Sequence, residues 1–160
     1  MTAQRRPKTR LEPASKLKLR LWIRLLGATR VIEIDLRQRL RAHFGVTLPR
    51  FDVMAALARK DAGMTMTELS RYLMVSNGNV TGIIDRLVAE GLVVRLADEE
   101  DRRATFVRLT PKGAQQFQTM AKAHEQWVGE ILAGCSREDA DTLIGLLGSL
   151  KAGTRKGGAP

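Results

Sequence analysis

The chain has 160 residues, of which 44% are hydrophobic and 28% are charged, a balance typical of one globular domain with its own core. A single Cys excludes a disulfide framework, and one Cys with two His excludes a four-ligand zinc site built from these residues alone. We therefore expect no metal and no cofactor.

The net charge of +10 is concentrated at the two ends of the chain, since residues 1–20 carry +6 and residues 151–160 carry +3. Basic ends are typical of proteins that contact a polyanion such as nucleic acid, and solubilising tails are an equal alternative. No apolar run reaches the ~18 residues of a membrane span, and no apolar signal core follows the basic N-terminus. We expect a cytoplasmic protein with no membrane partner.

Apolar periodicity divides the chain into one domain with two tails. Residues 1–14 and 153–160 lack this periodicity, and we predict that both segments are disordered. A long first helix is predicted within residues 15–44, because apolar side chains recur every three or four residues from Trp22 to Leu40. Pro49 is typical of the first turn of a second helix, which ends near residues 61–63.

Two short helices, a hairpin and two longer helices are predicted after residue 64. Thr65 or Thr67 is a candidate N-cap for the first short helix and Ser76 for the second. The period then changes to two, which predicts strands at 92–96 and 105–109 around a polar turn. Thr110 and Pro111 predict the start of a helix that ends by Gly134, and a final helix follows. The fold class is mainly α with a small β-hairpin.

The helices at both ends of the sequence carry apolar stripes that are too wide for a monomer of this size. A homodimer with intertwined terminal helices covers these stripes most simply. A monomeric bundle with an appended hairpin is the alternative.

The central residues 65–109 have the order helix, tight turn, helix, hairpin, which is typical of a winged helix-turn-helix. The second helix opens with Ser76-Asn77-Gly78-Asn79-Val80-Thr81, and short polar side chains of this kind suit base edges and phosphates in the major groove. A plain cap and turn would account for Ser76 alone.

The turn of the hairpin has four acidic residues followed by Arg102 and Arg103. Two adjacent guanidinium groups at an exposed tip suit the minor groove, and Asp101 is placed to orient one of them. Taken alone, the turn is most simply a solvent-exposed run of charged residues. The helix-turn-helix before it favours the interpretation that the hairpin is a DNA-binding wing. The expected DNA-binding residues are Ser76, Asn77, Asn79, Val80, Thr81, Arg86, Asp101, Arg102 and Arg103.

These motifs together resemble the MarR family of bacterial winged-helix transcriptional regulators. The resemblance rests on 66–70, 75–87 and 90–93, on Asp101-Arg102-Arg103, and on Val-Arg-Leu-Thr-Pro-Lys-Gly at 107–113. It implies a homodimer that binds a pseudo-palindromic operator and usually represses. It also implies a winged helix-turn-helix over about 48–110 and dimerisation helices over about 15–44 and 111–152. Arg103 matches the family's wing arginine and Asp101 matches its partner.

The resemblance further implies an effector, often aromatic or phenolic, that binds between the dimerisation helices and the DNA-binding lobe. Residues 44–52 and 74–79 are similar to regulators of aromatic-acid catabolism, some of which respond to coenzyme A thioesters. The redox-sensing branch has a Cys in the first helix, whereas Cys135 lies between the last two helices, so a thiol switch is not expected.

The expected effector site combines aromatic and aliphatic side chains with one cation, Arg50, which would hold an anionic group. Its candidate residues are Trp22, Leu25, Leu26, Arg50, Phe51, Met54, His124 and Trp127. Plain core packing is the alternative for most of them, since apolar residues at helical spacing are usually core. Arg50 discriminates between these interpretations, because a cation near a helix start is unfavourable.

We expect a sequence-specific repressor with a small aromatic or anionic effector. The alternative is a nucleoid-type DNA-binding protein with little sequence specificity, which would use the basic ends. An enzyme is not expected, because the sequence has no nucleophile–base pair, no paired carboxylates in an apolar setting and no phosphate-binding Gly-rich loop.

Overall fold

The computed structural model describes residues 13–97 and 105–156, with side chains up to residue 153. Six helices and three short strands follow in this order: α1 (Ala14–Phe44), α2 (Leu48–Leu57), β1 (Met64–Thr65), α3 (Met66–Leu73), α4 (Asn77–Ala89), β2 (Val93–Ala97), β3 (Thr105–Leu109), α5 (Pro111–Ile131) and α6 (Arg137–Lys156). The predicted fold class, a winged helix-turn-helix with long terminal helices, is confirmed.

Local sequence explains most of the helix boundaries. Gly45 follows α1 with φ of 64°, a left-handed conformation that glycine adopts without strain. Thr65 forms a capping box with Glu68, whose pKa is lowered mainly by the hydrogen bond from the Thr65 backbone N–H. The Thr110 hydroxyl accepts a hydrogen bond from the Gly113 N–H at 3.0 Å, and Pro111 opens α5.

The sheet has the antiparallel order β1-β3-β2, with Met64 opposite Val107 and Val93 opposite Leu109. The sequence predicted the two hairpin strands and missed β1. Its two residues are too few to show an alternating pattern, and they form a strand only because β3 lies beside them.

The core lies where α2, α4, α5 and the sheet meet the C-terminal half of α1. Leu40, Met54, Ile84, Val107 and Met120 are fully buried there. Burying one such side chain stabilises the fold by ~1.5–3 kcal/mol. These residues hold the helix-turn-helix together with α1 and α5.

The terminal helices depart from the sequence expectations in length and burial. α1 begins at Ala14, one residue before the expected boundary at 15. α6 continues to Lys156, past the expected boundary at 152, because an isolated Gly153 weakens a helix without ending it. The expected tails otherwise lie outside the described residues. Ile144 and Leu146 of α6 are 69% and 59% exposed, so the apolar face of α6 is uncovered in one chain.

Candidate nucleic-acid interface

Helix α4 packs with one apolar face on the rest of the winged helix-turn-helix lobe, which extends from α2 to β3. Val80, Ile84 and Leu87 are fully buried, and the turn before α4 is closed by the Val75 N–H, which donates to the Ser70 carbonyl at 3.1 Å. The opposite face of α4 is exposed. The helix therefore presents a rigid polar surface to a partner.

The exposed face carries most of the predicted DNA-binding residues. Ser76, Asn77, Asn79 and Arg86 are exposed, and the Ser76 side chain makes no capping hydrogen bond within the helix. The Thr81 hydroxyl donates to the Asn77 carbonyl at 2.9 Å, which leaves its methyl group and oxygen lone pairs for a partner. The amides of Asn77 and Asn79 are suited to hydrogen bonds with base edges.

The prediction for Val80 is wrong. Its side chain is fully buried in the core, so Val80 cannot reach DNA. The helical period in the sequence already places Val80 on the apolar side of the helix with Ile84 and Leu87, so including it among the DNA contacts conflicted with that period.

Two glycines lie on the exposed face of α4. A Cβ added at Gly78 or Gly82 would meet no atom of the protein within 4 Å. Each glycine costs the helix ~1 kcal/mol relative to Ala. Packing within the chain does not require them, and their flat backbone leaves room for a partner to approach closely.

The hairpin of β2 and β3 is attached to α4 by an ion pair that the sequence analysis missed. The Nη2 of Arg95 donates to Oδ1 of Asp85 at 2.6 Å. The two residues are ten positions apart and lie in different elements, so no helical spacing reveals them. Asp101, Arg102 and Arg103, the predicted wing contacts, lie outside the described residues.

Several predicted effector residues are core residues. Met54 is fully buried, Phe51 and Trp127 are 5% and 7% exposed, and the Phe51 ring stacks on His124 with ring centroids 4.6 Å apart. Burial lowers the pKa of His124. These four side chains fit the alternative of core packing.

The other predicted effector residues lie elsewhere. Trp22 is 58% exposed, and Leu25 and Leu26 are partly buried. About 33 Å of helix separates Trp22 from Phe44, whose ring centroid lies 6.0 Å from that of Trp127. One chain therefore does not bring the predicted set together.

Arg50 has a structural partner, contrary to the sequence expectation. It forms an ion pair with Glu90, which follows the last residue of α4, and its Nε is buried without a hydrogen-bond partner. Lys112 donates to the Glu90 carbonyl at 3.0 Å. Arg50 thus joins the start of α2 to the end of α4, which offsets the unfavourable position of a cation at a helix start.

A cavity of about 570 Å³ opens between α1, α2 and α4. Pro49, Val53 and Ile83 give it apolar walls, while Arg37, Arg41 and Asp52 add charge and Asn79 adds an amide. Partial burial and the nearby charge of Glu33 raise the pKa of Asp52. The sequence contained one signal for this site, the pair of arginines four residues apart on α1. The cavity is also lined by residues of α2, α3 and α4, including Leu73 of α3, which only tertiary packing brings together.

Within residues 13–97 and 105–156, no group of three His, Cys, Asp or Glu side chains is placed to hold a metal ion. No helix in the same ranges is long and apolar enough to cross a membrane.

Comparisons with known proteins point to one family. Residues 44–104 match the family model described as MarR family. The chain is 33% identical over 144 residues to the transcriptional activatory protein BadR of Rhodopseudomonas palustris, covering 87% of this chain and 82% of BadR.

Two solved structures are also similar. The transcriptional regulator BldR from Sulfolobus solfataricus has a TM-score of 0.78 and 26% identity, covering 88% of this chain and 99% of BldR. A mutant MarR from E. coli complexed with operator DNA has a TM-score of 0.73 and 25% identity, covering 87% of this chain and 99% of that protein.

Proposed function

The chain belongs to the MarR family of transcriptional regulators, and on this premise we propose that it is a homodimeric, cytoplasmic repressor that binds a pseudo-palindromic operator and is released by a small aromatic or anionic effector. The observation that carries the proposal is α4, whose buried face anchors it and whose exposed face presents Asn77 and Asn79. The similar E. coli MarR was solved with operator DNA, which supports the same role for this surface.

The proposed DNA contacts divide into base readout and backbone positioning. Asn77, Asn79 and Thr81 read base edges in the major groove, and Ser76 and Arg86 hold phosphates. On the wing, Arg103 enters the minor groove beside Arg102, and Asp101 orients the Arg103 guanidinium.

The proposed homodimer rests on the uncovered faces of α1 and α6. A groove of about 560 Å³ between them is lined almost entirely by leucines and other apolar groups, including Leu21, Leu25, Leu143 and Leu147. Exposed apolar surface of this kind marks an interface, and a second copy offers a matching surface by two-fold symmetry. Two α4 helices related by this symmetry would meet half-sites about one helical turn apart.

The effector is proposed to bind in the cavity between α1, α2 and α4. Its apolar walls suit an aryl group, and Arg37 and Arg41 suit a carboxylate, or the phosphates of a coenzyme A thioester. Because Asn79 lines the cavity as well as the exposed face of α4, an occupant there acts directly on the DNA-binding helix. This location replaces the site predicted around Trp22 and Arg50.

A screen of aromatic acids and their coenzyme A thioesters by thermal shift tests the effector, because a ligand of the folded state raises the melting temperature. Arg37→Ala and Arg41→Ala are expected to abolish the shift. Arg30→Ala is the matched control, because Arg30 is an exposed arginine of the same helix that does not line the cavity. A full shift in the double variant Arg37→Ala/Arg41→Ala would place the effector elsewhere.

The DNA-binding function is tested on a duplex that the wild-type protein selects from a random library. Asn79→Ala is expected to weaken binding to that duplex by ~1–3 kcal/mol and binding to unrelated DNA much less. Gln115→Ala, at an exposed amide on α5, is the control and leaves both affinities unchanged. Equal losses of Asn79→Ala on all sequences would instead favour the nucleoid-type alternative.

A further inference from the structure

The ion pair between Asp85 and Arg95 joins α4 to the wing. The proposed function places α4 in the major groove of DNA and the wing in the minor groove. Asp85 lies in the third turn of α4, and Arg95 lies in the middle of β2, the first strand of the wing. Both side chains are partly exposed, at 55% and 38%. The pair therefore lies at the surface between helix and wing, outside the core.

The register of the sheet makes Arg95 an unexpected residue at its position. Arg95 is the strand partner of Val107, and directly opposite residues of an antiparallel pair point to the same face. Val107 and the neighbouring position on that face, Val93, are buried in the core. An apolar residue would continue this face, whereas Arg95 continues it with a cation that reaches Asp85.

Where α4 ends and β2 begins, the two elements are attached through the backbone. The Leu92 N–H donates to the Leu87 carbonyl at 2.9 Å, and Gly91 lies between them with φ of 71°. The bond from Arg95 to Asp85 adds a side-chain attachment, two residues before Leu87 on α4 and three residues after Leu92 on the strand. Together with the burial of Val93, this attachment restricts the angle between helix and wing beyond what the junction alone allows.

We propose that Asp85 and Arg95 are positioning residues that set the angle between α4 and the wing, and thereby the spacing between the major-groove and minor-groove contacts. The inference rests on the proposed function, in which α4 and the wing enter different grooves. The pair also neutralises a carboxylate on the DNA-binding helix, which would otherwise repel phosphates. The experiment separates these two effects.

The test compares Asp85→Ala, Arg95→Ala, the double alanine variant and the charge swap Asp85→Arg/Arg95→Asp on the duplex selected by wild type. Each single variant is expected to lose about five- to twentyfold in affinity, and the double variant about as much as one single variant. The preference at base pairs under the wing is expected to flatten, while the preference at base pairs under α4 remains. The charge swap is expected to recover to within about threefold of wild type.

Lys60→Ala is the matched control, because Lys60 also forms an ion pair in this lobe, with Glu68 at 2.9 Å, and the variant removes the same charge. It is expected to leave the base preferences unchanged. All variants are expected to melt within a few degrees of wild type, since exposed ion pairs contribute little to stability.

Any of four results would overturn the inference. The double alanine variant could bind with wild-type affinity, which repulsion alone explains, or the charge swap could fail to recover affinity. The base preference could also flatten equally under the wing and under α4, or flatten in the same way in Lys60→Ala. If wild type selects no sequence at all, the proposed function fails and the inference fails with it. If wild type selects a sequence and Arg95→Ala retains every preference, the inference alone fails.

Discussion

Gly113 of α5 is the glycine whose replacement we expect to damage the fold most. A Cβ built there would lie 1.9 Å from the Leu92 carbonyl oxygen, far inside van der Waals contact. This carbonyl accepts the Thr110 N–H at 3.0 Å, and the Thr110 hydroxyl donates to the Gly91 carbonyl at 2.7 Å. The close approach therefore joins the start of α5 to the start of β2 through backbone that cannot easily move.

The magnitude for Gly113→Ala follows from this contact. Overpacking typically costs ~1–3 kcal/mol, and a clash with backbone that also displaces two hydrogen bonds lies at the upper end, about 3 kcal/mol. The helix propensity of Ala returns ~1 kcal/mol at most. The net loss is therefore about 2 kcal/mol. Because a protein of this size loses about 2–4 °C of melting temperature per kcal/mol, we expect a drop of about 4–8 °C.

The assay is thermal unfolding followed by circular dichroism at fixed protein concentration, because the proposed dimerisation would make the melting temperature depend on concentration. Gly82→Ala is the matched control. It is a helical glycine with no atom within 4 Å of the added Cβ, and it is expected to raise the melting temperature by about 2–4 °C. Equal or higher stability of Gly113→Ala than of wild type would refute the reasoning.

Three further predictions follow from the same contacts. Arg50→Ala is expected to cost about 1 kcal/mol in urea unfolding, since its pair with Glu90 is partly exposed, and an unchanged midpoint would show that the pair contributes nothing. His124 has a lowered pKa in the folded state, so its contribution to stability is full above its unfolded pKa of about 6.5 and is lost as the pH drops towards the folded pKa. The melting temperature of His124→Gln should therefore fall less than that of wild type across this pH window. Leu147→Glu on the exposed face of α6 is expected to give a monomer mass in light scattering at micromolar concentration, where wild type gives a dimer; a dimer in both would move the interface elsewhere.

Local sequence signals were sufficient for most of the fold. Gly45, Thr65 and the Thr110-Pro111 pair end or begin helices through their own backbone and side-chain chemistry, and the structure confirms each boundary. β1 has no such signal, because its two residues form a strand only in pairing with β3. What depends on contacts within a few residues was predictable, and what depends on long-range pairing was not.

The candidate site was predictable in part, for the same reason. The exposed polar opening of α4 follows from sequence, and the helical period also places Val80 on the apolar side, where the structure buries it. Arg50 was expected to hold an anionic effector, and its ion pair with Glu90 was missed because Glu90 is forty residues away in sequence. The cavity was missed because Arg37, Asp52 and Asn79 come from three different helices.

Sequence-specific binding of operator DNA is the central claim, and selection from a random duplex library by the wild-type protein tests it most directly. At physiological salt, the account predicts enrichment of an inverted repeat whose half-site centres lie about one helical turn, 10–10.5 base pairs, apart. A library that remains random after selection, with one affinity for all duplexes that falls steeply with salt, would contradict it.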